Sequence, residues 1–184
     1  RTTFPFFAAL AAGLAVTGMT LAFGAVSGGY FNPALTVASW TARRIETAQA
    51  LVVIAAQMLG GVVAWTLNQW LLQTTIKNIA NTTLDWRLFT AEAVGAGIFA
   101  MVVAAAAYQA YTGLRNAVTV GLGLTLGILV ASFADNGLIN PAVAVVVQSW
   151  SFIYAPAPVL GALVGMNIDV FLFAGHPTKT TKAT

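Results

Sequence analysis

Five stretches of this chain, roughly Phe4 to Gly24, Thr47 to Trp70, Leu88 to Tyr108, Ala117 to Ala134 and Ala157 to Ala174, stay apolar for nearly the whole of their length. A helix needs about 20 such residues to cross a bilayer. If these were the buried helices of a soluble protein, polar sequence would have to coat them, and there is too little: the 184 residues include eight Lys or Arg and five Asp or Glu, 7% in all. A soluble domain carries about a quarter charged residues. The chain therefore reads as an all-α membrane protein with five visible transmembrane helices. Trp70, Trp86, Tyr108, Tyr111 and Tyr154 lie near the span ends, where amphipathic rings favour the headgroup level.

The same scarcity excludes most chemistry. There is no cysteine, hence no disulfide framework, thiolate metal site or cysteine nucleophile, and the single histidine, His176, sits in a polar tail with Lys179 and Lys182. Neither a catalytic constellation nor a metal-binding cluster is visible, so no enzyme and no cofactor are expected. The net charge of +3 comes from basic residues that are scattered except for Arg43 and Arg44 and form no stripe for phosphates, so no nucleic acid is expected either.

Two further apolar stretches, Leu35 to Ala42 and Val143 to Trp150, are each about half a membrane long. Each follows the tripeptide Asn-Pro-Ala, at Asn32-Pro33-Ala34 and Asn140-Pro141-Ala142. Asn is a strong N-cap, and Pro at the first helical position lacks only an N–H that would have no intrahelical partner. Both tripeptides read as helix starts. Sliding the chain by 108 residues (140 minus 32) also superposes Gly13 on Gly121, Leu14 on Leu122, Thr17 on Thr125, Leu21 on Leu129, Gly29 on Gly137 and Val37 on Val145. The chain is thus a duplication, and an odd number of crossings between equivalent points makes the copies inverted. Inverted repeats whose half-helices meet at the midplane mark a solute pathway. Small residues four apart, Ala56 and Gly60, Gly123 and Gly127, Gly161 and Gly165, are expected at close helix contacts.

These features resemble the aquaporin, or major intrinsic protein, family. The resemblance rests on Ser27 to Thr36 (SGGYFNPALT), Ala56 to Gly61 (AQMLGG), Glu92, Gly137 to Ala142 (GLINPA), and Tyr154 with Pro158 and Gly161-Ala162. It implies one channel domain over 1–176, with a partial repeat A over 1–72 and repeat B over 86–175, followed by a polar tail at 177–184. It also implies that Asn32 and Asn140 meet at the pore centre. The outer selectivity filter would fall on Ala12, Ile128, Gly137 and Val143. Members of the family normally carry Arg directly after the second Asn-Pro-Ala, where this chain has Val143, so a wider and less polar constriction is expected. The family has six crossings, and the first has no counterpart here; with Arg rather than Met at position 1, an upstream helix or a partner chain is expected to sit beside the span at Phe4 to Gly24. An empty site there is expected to expose Glu92 or loop backbone.

By the same resemblance Glu92 is a structural acceptor for the loop before a half-helix, preferred over a proton relay because no second ionisable group is spaced to take the proton on. Asp135 is read as bracing the second pore loop, Trp40 and Trp150 as packing residues, and Asp169 has no assigned role. The leading function is a passive channel for water or small uncharged solutes in a lipid bilayer, as a homotetramer in the cell membrane with its C-terminus cytoplasmic. An aquaporin-fold structural subunit of a larger assembly is the alternative. An ion-coupled transporter would need midplane carboxylates, for which Glu92 alone is thin support.

Overall fold

The computed structural model describes residues 3–75, 83–134 and 136–173. Hydrocarbon offers backbone groups no partner, so an apolar span must satisfy them within itself, and every apolar run is helical: α1 (Thr3–Ser27), α2 (Pro33–Thr41), α3 (Thr47–Leu72), α4 (Trp86–Tyr108), α5 (Gly113–Ala131), α6 (Pro141–Val146) and α7 (Pro156–Phe173). By length and composition α1, α3, α4 and α5 can each cross a membrane, and among the described residues Pro156–Ile168 of α7 forms a further, shorter apolar helix. Asp85 starts α4 two residues before the apolar run, its Oδ1 accepting the N–H of Arg87 (2.9 Å) and Leu88 (3.3 Å).

The short helices α2 and α6 each pack on a long helix of the other half, α2 on α7 and α6 on α3. The long helices meet where side chains are missing. On α1 and α5 the superposed pairs Gly13/Gly121 and Thr17/Thr125 face each other: a methyl group at Gly13 would lie 2.6 Å from Gly121 O, and one at Gly121 would lie 2.5 Å from Gly13 O. The Thr125 hydroxyl donates across this contact to Ala9 O at 3.2 Å. The contact is close to self-complementary, as a two-fold relation between the halves requires. Gly127 meets Gly95 between α5 and α4, and Gly161 and Gly165 lie against the backbone of Ala93 and Gly97 between α7 and α4.

Two expectations need correction. Ala56 and Gly60 make no close helix contact: a Cβ on Gly60 would meet nothing within 4 Å, and it is Gly61 that abuts Ala142 O on α6. The second half-helix ends at Val146 rather than near Trp150, because the chain turns through a left-handed Gln148 (φ 51) and Ser149 N–H bonds back to Ala144 O at 2.7 Å. Among the described residues no helix covers the side of α1 opposite α5, and Glu92 is nonetheless fully buried.

That uncovered side is visible in the burial. Only 11% of the apolar window of α1 and of α3 is buried, against 39% in α4 and 44% in α5. Helix α4 packs on both α5 and α7, whereas α1 and α3 have no such shared neighbour among the described residues. Ser27, Tyr30, Phe31, Val53, Ala56 and Gln57 border an open cleft between them.

Candidate functional site

Both half-helices begin with the same local chemistry. Asn32 and Asn140 have extended backbones, their Oδ1 atoms accept the N–H of Ala34 and Ala142 at 2.9 Å, and Pro33 and Pro141 occupy the first helical turn. With each oxygen committed to capping, each amide nitrogen reaches across to the other repeat. Asn32 Nδ2 donates to Ile139 O at 2.9 Å, and Asn140 Nδ2 donates to Phe31 O at 3.1 Å. Since Phe31 and Ile139 are the residues just before the two asparagines, these bonds form a reciprocal clasp that joins the starts of α2 and α6. A primary amide has two N–H donors. One from each Asn is used in the clasp, and one remains.

The loop before α6 is held by α4. Glu92, fully buried, accepts Leu138 N–H at Oε1 (2.8 Å) and Ile139 N–H at Oε2 (2.6 Å). These two bonds hold Ile139 at φ 43, a conformation disfavoured for a β-branched residue. Glu92, Ile139 and Asn32 therefore form one line, the carboxylate on the Ile139 N–H and the asparagine amide on its carbonyl.

The loop before α2 is held differently. Gln57 on α3 donates through Nε2 to Tyr30 O (3.0 Å) and to Thr36 Oγ1 (2.9 Å), and the Thr36 hydroxyl donates to Asn32 O (3.1 Å). Gln57 Oε1 is buried without a hydrogen-bond partner. Tyr30 and Phe31 are the 108-residue counterparts of Leu138 and Ile139, yet among the described residues their N–H groups meet no acceptor. The loop before α2 thus lacks the carboxylate that holds the loop before α6.

Asn32 and Asn140 close one end of a cavity of about 260 Å³. It is walled by Val16 and Thr20 of α1, Leu35 and Ser39 of α2, Phe99 and Val103 of α4, and Val120 and Leu124 of α5, and it opens past Gly28, Gly29, Arg44, Tyr111 and Asn116. Gly28 (φ 77) and Gly29 (φ 71) are both left-handed, which lets the chain turn from the end of α1 back towards the centre.

The four positions expected to form the outer filter lie outside this cavity. Ile128 is buried and Gly137 (φ 66) touches it, a Cβ on Gly137 being 2.5 Å from Ile128 O. Ala12 is half-buried against the core on α1, and Val143 is half-buried in the first turn of α6. Trp40 ties α2 to α3 through its indole N–H on Thr47 Oγ1 at 3.0 Å. Arg1, Lys77, Asp135, His176, Lys179 and Lys182 lie outside the described residues, and among those described no group of acidic, His or Cys side chains could hold a metal. Nothing in the AQMLGG motif signals a role for Gln57; its place against the loop before α2 becomes evident only in three dimensions.

A family model described as Major intrinsic protein matches residues 5–169. The chain is 33% identical over 175 residues to glycerol uptake facilitator protein-like 6 of Lactiplantibacillus plantarum, an alignment covering 84% of this chain and 79% of that one. It is 28% identical to Aquaporin Z of Photorhabdus laumondii, over 90% of this chain and 81% of the relative. With Aquaporin NIP3-1 of Oryza sativa it shares 31% identity over 89% of its own length, which spans 56% of that relative.

Proposed function

This chain belongs to the major intrinsic protein family, a family of channels rather than enzymes, and we propose that it forms a passive transmembrane channel for water and small uncharged solutes such as glycerol. The observation that carries this reading is the reciprocal clasp of Asn32 and Asn140 at the end of the cavity. A helix N-terminus carries roughly half a positive charge, so two of them at one point disfavour a cation. The N–H left on each amide offers a hydrogen bond to a passing water or hydroxyl oxygen. The likeness to a protein named as a glycerol uptake facilitator supports the wider solute class.

In this reading one domain spans 1–176, with repeats at 1–72 and 86–175, and Ala12, Ile128, Gly137 and Val143 form the outer constriction. Their side chains offer no hydrogen-bond donor, so the opening there is apolar. The variant Val143→Arg is expected to narrow it and to lower glycerol flux more than water flux. Light scattering from proteoliposomes under glycerol and under sucrose gradients measures both. Equal losses would remove Val143 from the constriction, and absence of both fluxes in the correctly inserted wild type would favour the alternative, a structural subunit of a larger assembly.

The cleft between α1 and α3 is read as the seat of a further transmembrane helix, from this protein or a partner. The Tyr30 and Phe31 N–H groups and Gln57 Oε1 at its edge support this, because an unsatisfied group in hydrocarbon costs several kcal/mol. Arg43, Arg44 and Arg115 on one face against Arg87 on the other support placing the first face in the cytoplasm. A homotetramer belongs to the same proposal through the family.

A further inference from the structure

The cavity opens on the face where α1, α2, α4 and α7 end and where α3 and α5 begin, α7 running parallel to α4 with Gly161 on Ala93 and Gly165 on Gly97. Four helix C-termini carry more negative partial charge than two N-termini offset. Left to the backbone alone, this mouth would draw cations in. Arg44 is the only charged side chain among the described residues lining the cavity.

Its place is built into the chain. Arg43 takes a left-handed conformation (φ 56), which turns the chain after α2, and the Arg44 N–H bonds back to Ser39 O at 2.8 Å. The guanidinium reaches α4, with Nη1 at 3.5 Å from Ala104 O in its last turn. Tyr111 lines the same mouth from the loop between α4 and α5, and Arg115 stands beside it. The guanidinium carbon of Arg115 is 3.7 Å from the Tyr111 ring centroid, and its Nη2 donates to the Tyr111 hydroxyl at 2.8 Å. Glu46 on this face is exposed, borders the shallow pocket behind Arg43 and Arg44, and is not part of the cavity wall. The four positions assigned to the outer constriction carry no charge at all.

We propose that Arg44, with Arg115 standing beside Tyr111, is a specificity-determining residue that supplies the side-chain part of the barrier to small cations at this mouth of the conduit. In a channel with an apolar outer constriction, charge selection by side chains then lies at the opposite end from the family's usual arginine. The inference rests on the channel reading above. A single charge at a water-filled mouth with low-dielectric walls changes local cation occupancy by about three- to tenfold.

The test compares the whole protein with Arg44→Gln and Arg44→Lys in proteoliposomes. The readout is the ratio of potassium to glycerol permeability in the same vesicles, after subtracting the leak of protein-free vesicles. A ratio is insensitive to how much protein inserts, and a barrier in series acts whichever way the chain is oriented. Arg44→Gln should raise the ratio about three- to tenfold, whereas Arg44→Lys, which keeps the charge and loses the fork, should stay at the wild-type value. An unchanged ratio in Arg44→Gln overturns the proposal. So does an equal rise in Arg44→Lys, which would assign the effect to the tie to Ala104 rather than to charge. A wild type that passes no glycerol would instead overturn the channel reading, and this proposal with it.

Discussion

Replacing Glu92 by Gln should cost about 2–4 kcal/mol of stability and at least about tenfold in solute flux per inserted molecule. The substitution is nearly isosteric, so packing is kept and only the acceptor is lost. Glu92 takes two backbone donors, Leu138 N–H and Ile139 N–H, with both carboxylate oxygens. A glutamine can accept only one of them and sets its own NH2 against the other. The freed loop no longer has the contact that holds Ile139 at φ 43, and the Ile139 carbonyl is the acceptor for Asn32. The effect therefore passes from α4 to the clasp without Glu92 touching a solute. Thermal unfolding in detergent should fall by roughly 4–16 °C, at about 2–4 °C per kcal/mol for a chain of this size. A variant as stable and as conductive as the wild type would show that the carboxylate does not hold the loop.

The second large effect is expected at Gly161. A Cβ there would be driven into the Ala93 carbonyl, and the three nearest atoms belong to the backbone of α4 rather than to a side chain that could move. Gly165 is placed in the same way against Gly97. Within a bilayer, helices associate through packing rather than through the hydrophobic effect, so separating α7 from α4 forfeits the contact outright. Gly161→Val should cost more than about 4 kcal/mol and leave little monodisperse protein after extraction. Gly60→Val is the informative companion, since nothing in the described structure lies within 4 Å of its Cβ. If a helix seats in the cleft between α1 and α3, this variant too should lower the yield of folded protein, though less. If the cleft stays open to lipid, it should behave as wild type. A well-folded Gly161→Val protein would contradict the α4–α7 contact itself.

Much of this architecture is legible in the sequence because lipid leaves a chain few options. The five spans follow from apolar length, and the half-helix starts follow from Asn before Pro, a pattern that fixes both the cap and the first dihedral angle. The inverted repeat follows from the offset, and the same offset had already marked Gly13, Gly121, Thr17 and Thr125, whose mutual contact at the centre of the bundle then needs no further signal. Helix ends are less legible. Hydropathy starts the fourth span at Ala117, whereas α5 begins at Gly113, because its first turn, with Arg115 and Asn116, is polar and borders the cavity mouth. Asp85 is a capping signal that an apolar count overlooks. The left-handed turn at Gln148 that stops α6 has no glycine or asparagine to announce it.

The small-residue spacing misled at Ala56 and Gly60, because spacing identifies a face fit for close approach and does not say which neighbour fills it. The clasp was legible only in part. Asparagine at both helix starts predicts capping by the oxygen, but the partner of the nitrogen is a carbonyl 107 or 109 residues away, set by the meeting of the two repeats. Arg44 reads in sequence as one half of a basic pair. Its place on the cavity wall depends on the turn after α2 and the end of α4, which come together only in the fold.

The absence of cysteine from the chain permits a direct test of whether solute crosses by this route. Leu124 lines the cavity from α5, on the path between its mouth and the two asparagines. Glycerol and water flux should be measured in proteoliposomes carrying the wild type and Leu124→Cys, before and after a small membrane-permeant thiol reagent. The account predicts that the wild type conducts and is indifferent to the reagent, and that Leu124→Cys conducts until it is modified and then loses most of its flux. A wild type that conducts neither solute, or a fully modified Leu124→Cys that conducts as before, would contradict it.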